Sequence, residues 1–358
     1  MISEDKQKIK ICLVDDSFEA RWNNFVTKHP RASHCHLFAW KKVILDTYNQ
    51  PAYYFCAQRN DLLVGVLPLI HIKSPIFSSS LVSMPYLSYG GALVQEREAE
   101  RLLMDAAVDL AGKLKVKLVD LRDKPFNNLE ISTSELMEHE KVRMVKSLPD
   151  SGVKLLNSFP SKLRSQIKRP LKAGMTFSIG GREFVDAFYD VFKVNMRDLG
   201  SPVHSKLFFK KIFEHFTDKA RIGIVKYNKI IVAAGVIISY KGEVEIPWAS
   251  SLRQYNRFSP NMLLYSSLLE YCCDQKMDIF DFGRSTPGEG TYKFKKQWGS
   301  KPEPLAWQAL HVEKNQNRKK YKDSSNKDKM QPFIRLWQKL PVSVATTVGP
   351  LVRGGISN

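Results

Sequence analysis

The sequence contains no uninterrupted run of 18 apolar residues, which is about the length that a transmembrane helix needs. Its first ten residues are charged and have no apolar core, so this segment does not resemble a secretory signal. Acidic residues are few: 36 Asp and Glu stand against 55 Lys and Arg, a formal net charge of +19. Such an excess favours nucleic acid, anionic lipid or phosphorylated metabolites as partners without choosing among them. We therefore expect a cytoplasmic protein that binds anions.

Cysteine is scarce as well, with five residues and no Cys-x-x-Cys pair. An odd number of unclustered cysteines favours free thiols in a reducing compartment. The His and Cys residues nowhere show the spacing of metal ligands. The sequence therefore predicts neither a disulfide framework nor a metal site.

A hairpin pattern occurs twice in the chain. Apolar runs at 52–58 and 62–72 flank the turn signal Asn60-Asp61, and runs at 221–226 and 230–240 flank Tyr227-Asn228-Lys229. Each hairpin is followed by a further strand, a helix and another strand. Two copies of one α/β unit of about 170 residues are therefore indicated.

The repeat divides the 358 residues, a length that itself favours two domains. The predicted fold class is α+β, with a mixed twisted sheet flanked by helices in each domain. The predicted bounds are 1–150 for the first domain, 151–312 for the second and 313–358 for a basic, partly disordered tail with an amphipathic segment.

The most unusual stretch begins with the apolar run 279–282 and continues to Gly299. We expect a buried strand that breaks at Gly283 into a glycine-rich loop, the position where α/β folds place ligands. Four cations follow, which are Arg284, Lys293, Lys295 and Lys296. They indicate an anionic substrate or a developing oxyanion, although a solvated basic hairpin fits the spacing equally well.

The stretch Asp281-Phe-Gly-Arg-Ser-Thr-Pro-Gly-Glu-Gly-Thr-Tyr-Lys-Phe-Lys-Lys-Gln-Trp-Gly resembles the C-terminal signature of Fem-type proteins. More narrowly, it resembles the FemAB-related proteins associated with exosortase and exopolysaccharide loci. The resemblance covers about residues 22–307, and four other stretches agree with it: 85–91, 161–167, 195–205 and 247–251. It implies tandem GNAT-like (N-acyltransferase) domains, which matches the repeat. Fem enzymes transfer an amino acid from aminoacyl-tRNA to an amine of a peptidoglycan precursor.

The resemblance also implies the catalytic residues. The Phe-Lys pair of the family's signature corresponds to Phe294 and Lys295, and the lysine is expected to stabilise the carbonyl oxygen as it gains charge. Asp281 is a candidate general base or an orienting group for Arg284, although a strand-end cap is the commoner role. Arg284 is a candidate anion-binding residue. Tyr292 and Trp298 of the same stretch are candidate substrate contacts.

Three further residues are candidates outside the signature. His204, in a loop, is a candidate base for an acceptor amine or a histidine that only bonds its neighbours. Tyr89 either lines a cleft or packs in the core. Arg164 belongs to a short basic helix over 161–169, ending before Pro170, that either faces phosphate or is simply solvated.

The resemblance implies no cofactor. The acyl donor is a co-substrate, either aminoacyl-tRNA or acyl-CoA, and the acyl-CoA pyrophosphate loop of ordinary GNAT enzymes is missing before the helices at Glu96 and Pro260. The coiled-coil arm of some Fem enzymes is also absent, and the acceptor-binding residues of the first domain cannot be placed by motif. The expected acceptor is an anionic, nucleotide- or lipid-linked envelope or exopolysaccharide precursor. An acyl-CoA-dependent acyltransferase of an amino sugar and a non-catalytic basic scaffold remain alternatives.

The tail carries nine basic and two acidic residues between Lys314 and Lys339. Its segment 332–352 combines apolar and basic residues with Trp337 as an aromatic anchor. That composition is typical of an interfacial helix. Residues 314–352 therefore either contact an anionic membrane at its inner face or dock on the protein's own body.

Overall fold

The computed structural model describes residues 8–74, 78–124, 141–312, 319–320 and 327–357. Their strands are β1 Lys10–Val14, β2 Ala52–Arg59, β3 Leu62–Ile72, β4 Ser80–Val82, β5 Leu93–Val94, β6 Leu118–Asp123, β7 Val142–Ser147, β8 Thr176–Gly180, β9 Ala220–Tyr227, β10 Ile230–Tyr240, β11 Glu243–Ser251, β12 Ile279–Ser285, β13 Lys301–Pro304, β14 Ala306–His311 and β15 Lys319–Lys320. Their α-helices are α1 Glu19–Lys28, α2 Ala39–Tyr48, α3 Arg97–Lys113, α4 Gly152–Ser158, α5 Ser161–Lys172, α6 Val185–Leu199, α7 Lys206–His215, α8 Pro260–Asp274, α9 Gly290–Lys296, α10 Lys327–Gln338 and α11 Val342–Gly354.

The chain forms two compact units. The first comprises residues 1–126, 306–322 and 354–358, and the second comprises residues 127–305 and 323–353. Each unit contains one mixed sheet. The first sheet has the order β1-β2-β3-β4-β6-β14-β15 with β5 beside β3, and the second has the order β13-β7-β12-β11-β10-β9-β8.

Both predicted hairpins are present, with the same turn chemistry. Asn60 and Asp61 connect β2 to β3 with φ angles of 49° and 63°, and Asn228 and Lys229 connect β9 to β10 with φ angles of 47° and 68°. Two consecutive residues of positive φ form the turn whose twist matches that of paired strands. Asn and Asp tolerate this region better than most residues, which explains why the turns fall at these positions.

The two units also repeat the same order of elements after the hairpin. In the first, β3 pairs antiparallel with β4, and β4 pairs parallel with β6 across α3. In the second, β10 pairs antiparallel with β11, and β11 pairs parallel with β12 across α8. A parallel pair requires such a crossover. The predicted repeat of hairpin, strand, helix and strand is thus confirmed.

The compact units differ from the domain bounds predicted from the sequence. β7 precedes the predicted boundary at residue 150 but pairs with β12 and β13 of the second sheet. β14 follows the second repeat in the chain but pairs with β6 of the first sheet. Beyond its parallel pair, each sheet therefore contains one further antiparallel strand. In both sheets this strand comes from the other half of the chain.

The signature stretch departs from the expected strand and loop. β12 continues through Gly283 to Ser285, and residues 290–296 form the short helix α9. Likewise α5 does not end before Pro170 but includes it and extends to Lys172. Pro170 is buried with Leu163 and Ile167 on the inner side of that helix, and this packing offsets the missing hydrogen bond of the proline.

The amphipathic segment of the tail is helical and packs on the second unit. Trp337 of α10 is 5% exposed, and the carbonyl oxygen of Leu340 accepts a hydrogen bond of 2.9 Å from Arg197 of α6. The sequence predicts disorder for the polar part of the tail. Most of that part, 313–318 and 321–326, lies outside the described residues. Among the described helices, none is both long enough and apolar enough to cross a bilayer.

Candidate active site

The two parallel strands of the second sheet stop pairing where the signature stretch begins. Their ladder ends at the pair Glu245 and Asp281, although β11 continues to Ser251 and β12 to Ser285. No later pair joins these two strands in the described residues. Backbone groups beyond the end of a ladder need other partners. The divergence is therefore suited to a ligand that offers amide or carbonyl groups.

A bulge shapes β12 at this point. The register of β12 against β7 shifts between Asp281 and Arg284, and Gly283 within the shift has a φ of 73°. The amide N–H of Gly283 donates a hydrogen bond of 2.7 Å to Oδ1 of Asp281. Glycine enters this backbone region without steric cost, and a bulge re-aims the chain that follows it. The next residue, Arg284, consequently presents its carbonyl oxygen to α9.

Lys295 of α9 lies at that carbonyl. Its Nζ donates a hydrogen bond of 2.6 Å to the carbonyl oxygen of Arg284, and the side chain is partly buried. Burial lowers the pKa of Lys295 to about 8; the Asp281 carboxylate opposes this shift, the Arg284 guanidinium adds to it and the Glu245 carboxylate opposes it. At neutral pH the side chain is therefore mostly an ammonium, held in a site with little water. Such a group can stabilise a developing oxyanion.

The acidic side of the site is buried and paired. Asp281 has no exposed surface and Glu245 is 3% exposed. Arg143 of β7 places Nη1 at 3.7 Å from Oδ2 of Asp281 and at 3.3 Å from Oε1 of Glu243, and its Nε donates a bond of 2.6 Å to Glu303. Buried carboxylates stay ionised only when they are paired and hydrogen-bonded. Asp281 thus acts as the cap of the bulge and as part of a charge network.

Phe294 packs the base of α9 against the core. Its ring lies edge-on to those of Tyr265 at 5.1 Å and Trp298 at 6.2 Å. Trp298 also has an edge contact with Phe159 at 5.6 Å and has no exposed surface. These aromatic contacts fix the position of the helix that carries Lys295. Trp298 is accordingly a packing residue, and its predicted contact with substrate has no support in this geometry.

His204 lies in the loop before α7, as predicted, but it is 1% exposed. Its ring stacks on Phe208 at 4.5 Å, and its Nε2 lies 3.0 Å from Nε of Arg353. Burial, followed by the Arg353 charge, holds the pKa of His204 well below its ordinary value. A neutral imidazole that accepts a hydrogen bond from Arg353 ties α11 to the second unit. This arrangement favours the alternative role, in which the histidine bonds its neighbours.

The remaining predicted residues of the second unit differ in exposure. Arg284 is partly exposed and lies opposite Arg143 in the ladder between β12 and β7. Arg164 is exposed on α5. Tyr292 is 8% exposed and belongs to the hydrophobic core. Both arginines are accessible to an anion, and anion binding by Arg284 and Arg164 stays a prediction. Tyr292 instead packs in the core.

The corresponding strand end of the first unit is filled by the protein itself. Arg122 of β6 has no exposed surface; its Nη2 and Nε donate to Oδ2 of Asp120 at 3.0 and 3.2 Å. The guanidinium lies 4.6 Å from the centre of the Trp307 ring. Tyr89 is also buried, with Nζ of Lys124 at 5.1 Å from its ring centre. This end of the first sheet is thus occupied by a salt bridge and aromatic packing.

Two residues of the site were missed by the sequence reasoning. Glu245 stands between Val244 and Ile246 in an apolar strand, and an ionisable residue in such a strand is a signal that could have found it. Arg143 gave no usable signal, because its role depends on the pairing of β7 with β12, which are more than 130 residues apart in the chain.

The second unit contains the part of the chain that matches a known family model. Residues 157–296 match the sequence model of the family described as acetyltransferase (GNAT) domain. Among curated proteins, the UDP-N-acetylmuramoylpentapeptide-lysine N(6)-alanyltransferase of Weissella viridescens is 22% identical over 130 residues. The match covers 36% of this chain and 38% of that relative, so it spans less than half of either protein.

Solved structures extend the likeness to most of the chain. The crystal structure of FemX superposes with a TM-score of 0.62 at 17% identity, over 82% of this chain and 95% of that one. A tandem GNAT protein from the clavulanic acid biosynthesis pathway superposes with a TM-score of 0.54 at 11% identity, over 86% of this chain and all of that one. Likenesses at these identities concern the fold, and they confirm the prediction of tandem GNAT-like domains.

Proposed function

We propose that this chain, a FemAB-related protein of tandem GNAT fold, is an acyltransferase that forms an amide on a precursor of the cell envelope or of an exopolysaccharide. The observation that supports this proposal best is the Lys295 ammonium, partly buried at the end of the β11–β12 ladder. Lys295 lies within residues 157–296, which match the GNAT domain model. The name of the Weissella viridescens relative describes the same kind of transfer, alanyl to the amine of a lysine.

The proposed reaction needs no nucleophilic side chain. The acceptor amine attacks the carbonyl carbon of the donor, the new C–N bond forms and the carbonyl oxygen gains negative charge. Lys295 donates to this oxygen, a type of interaction that is worth about 10²–10³ in rate. The C–O or C–S bond of the donor then breaks, and the leaving group takes the proton that the amine releases. The amide product remains.

The buried network around Lys295 has a positioning role in this proposal. Asp281 holds the bulge through the Gly283 amide, and together with Glu245 it opposes the loss of the Lys295 charge. Arg143 in turn lies 3.7 Å from the Asp281 carboxylate and pairs with it. In this proposal His204 holds α11 in place, because its Nε2 accepts a hydrogen bond from Arg353.

Aminoacyl-tRNA is the favoured donor and is a co-substrate, not a bound cofactor. The net charge of +19 suits a polyanionic donor, and the usual acyl-CoA loop is missing from the sequence. The favoured acceptor is an anionic saccharide linked to a nucleotide or to a lipid, for which Arg284 and Arg164 are the candidate phosphate contacts. In this proposal the protein is cytoplasmic and works at the inner face of the membrane, where residues 314–352 contact lipid.

An acyl-CoA-dependent N-acyltransferase of an amino sugar is the second candidate. The family that matches residues 157–296 is described as an acetyltransferase domain, and this description favours acyl-CoA as the donor. The signature resembles that of proteins associated with exosortase loci, and for such a protein the acceptor would be an exopolysaccharide precursor. Both candidates use Lys295 in the same way and differ in the leaving group.

The test incubates the purified chain with nucleotide-linked peptide–sugar precursors and with lipid-linked amino sugars. Each acceptor is offered charged tRNA or CoA thioesters, and the products are weighed by mass spectrometry. An aminoacyl increment that requires charged tRNA supports the proposal. An acyl increment that requires a CoA thioester replaces it with the second candidate, and no increment with any pair supports a non-catalytic scaffold instead.

A further inference from the structure

Each of the two C-terminal helices packs on the second unit through one face. Trp337 of α10 and Ala345 of α11 are 5% and 2% exposed. Gly349 lies so close to Val203 that a Cβ at this glycine would be 2.8 Å from Cγ1 of the valine. The helices are therefore held in a fixed orientation on the second unit. The residues on their outer faces are exposed to solvent.

One exposed flank of α11 is apolar. Val344, Val348 and Leu351 are 42%, 39% and 77% exposed. Their spacing of four and three residues places them on one face of the helix, and this set is the exposed apolar row. Leu336 of the neighbouring helix α10 is 64% exposed. Isolated exposed leucines are ordinary, but a row of three on one helix is typical of a surface that binds something apolar.

The C-terminal segment that carries this row is cationic. Between Met330 and Asn358 the sequence contains no Asp or Glu. Arg335 of α10 and Lys339, which follows this helix, are both exposed. An exposed apolar row in a cationic segment is complementary to an anionic lipid surface. A second copy of this chain would instead bring the same cations together, which disfavours a dimer through this face.

We propose that α10 and α11 bind an anionic lipid surface peripherally. The exposed apolar row enters the headgroup region, and Arg335 and Lys339 contact the lipid phosphates. This inference deepens the proposed function and rests on its membrane-side location. It does not rest on the transfer reaction, because vesicle binding is measured without donor or acceptor and succeeds or fails independently of turnover.

The experiment measures co-sedimentation of the full chain with vesicles of phosphatidylcholine alone and with vesicles that contain 30% phosphatidylglycerol, a composition of about the order found in anionic membranes. We expect binding to the anionic vesicles that weakens as salt rises. Arg335→Gln with Lys339→Gln should weaken it by about 25-fold, since each cation near such a surface contributes about 1 kcal/mol, or about fivefold. Lys162→Gln with Lys172→Gln on the exposed face of α5 removes the same charge elsewhere and should have a much smaller effect.

The apolar part is tested with Leu351→Ser and Val348→Ser, each expected to weaken binding at least about tenfold because a buried aliphatic side chain contributes on this scale. Leu62→Ser is the matched control, since Leu62 is 71% exposed on the hairpin of the first unit. Thermal unfolding shows whether each variant keeps its fold.

Three results would overturn the inference. Equal binding to both kinds of vesicle would remove the role of the cations. Binding that is unchanged in Leu351→Ser and Val348→Ser would remove the role of the apolar row. A dimer, detected by light scattering, that dissociates in Leu351→Ser would identify a second copy as the occupant.

Discussion

The charge state of Lys295 leads to the most informative prediction, because its pKa is lowered to about 8 from the 10.5 of an ordinary lysine. If the ammonium stabilises the oxyanion, transfer is fastest while it is charged. Lys295 is charged in about nine-tenths of the molecules at pH 7 and in about one-tenth at pH 9. We therefore expect kcat/KM to fall about tenfold per pH unit above pH 8, measured by single-turnover transfer with the donor that the product analysis identifies.

Two variants assign this alkaline limb to Lys295. Lys295→Arg keeps a positive charge at every pH of the assay, so the limb should vanish even if the overall rate is lower. Glu245→Gln removes one of the carboxylates that raise the pKa, so the limb should move to lower pH. A limb that stays at pH 8 in both variants would show that another group titrates and would refute the reasoning.

The same pKa has a consequence for stability that needs no substrate. Burial penalises the charged form, so the cost is fully present below pH 8 and is relieved as pH rises through about 8 towards 10.5. At about 1.4 kcal/mol per unit of pKa, the cost at neutral pH is at most about 3.5 kcal/mol. The free energy of unfolding, measured with denaturant, should rise more over this pH range for wild type than for Lys295→Met. Parallel curves would contradict the prediction.

Three further predictions concern the scaffold of the site. Gly283→Ala should cost about 1–2 kcal/mol in unfolding free energy, because φ is 73° there, and should slow transfer, whereas Gly290→Ala, whose Cβ would meet nothing within 4 Å, should do neither. Trp298→Ala should cost about 3–5 kcal/mol, since it removes a fully buried aromatic side chain, and a change of less than about 1 kcal/mol would contradict its assignment to the core. Arg143→Met should destabilise the protein by about 3–5 kcal/mol in denaturant unfolding, because it removes the guanidinium that pairs with the buried Asp281 carboxylate, and a loss below about 1 kcal/mol would contradict this pairing.

The local pattern of the sequence predicted the repeated elements well. Alternating apolar runs around Asn60-Asp61 and around Asn228-Lys229 gave both hairpins, because the turn residues and the strand period are properties of neighbouring residues. The resemblance to Fem-type proteins singled out Phe294 and Lys295, and their catalytic roles stay predictions; in the structure Lys295 donates to the Arg284 carbonyl oxygen and Phe294 packs against Tyr265. These predictions depend on a few residues each.

The predictions that failed depend on contacts between distant parts of the chain. Gly283 was expected to end a strand, but the pairing of β12 with β7 lets the strand absorb the glycine as a bulge. The exchange of β7 and β14 between the two halves of the chain is equally invisible to local patterns. Burial also decided between alternatives that spacing left open, as for His204, which is 1% exposed.

The central claim is that Lys295, alone among the neighbouring lysines, stabilises the transition state of transfer. The measurement that tests it most directly is the single-turnover rate of Lys295→Ala beside that of Lys296→Ala, an exposed lysine of the same helix whose Nζ lies 5.9 Å from the Tyr292 ring centre. We predict a loss of about 10²–10³ for Lys295→Ala, with thermal unfolding showing an intact fold, and a change within about twofold for Lys296→Ala. Equal rates in the two variants, or wild-type transfer in Lys295→Ala, would contradict the account.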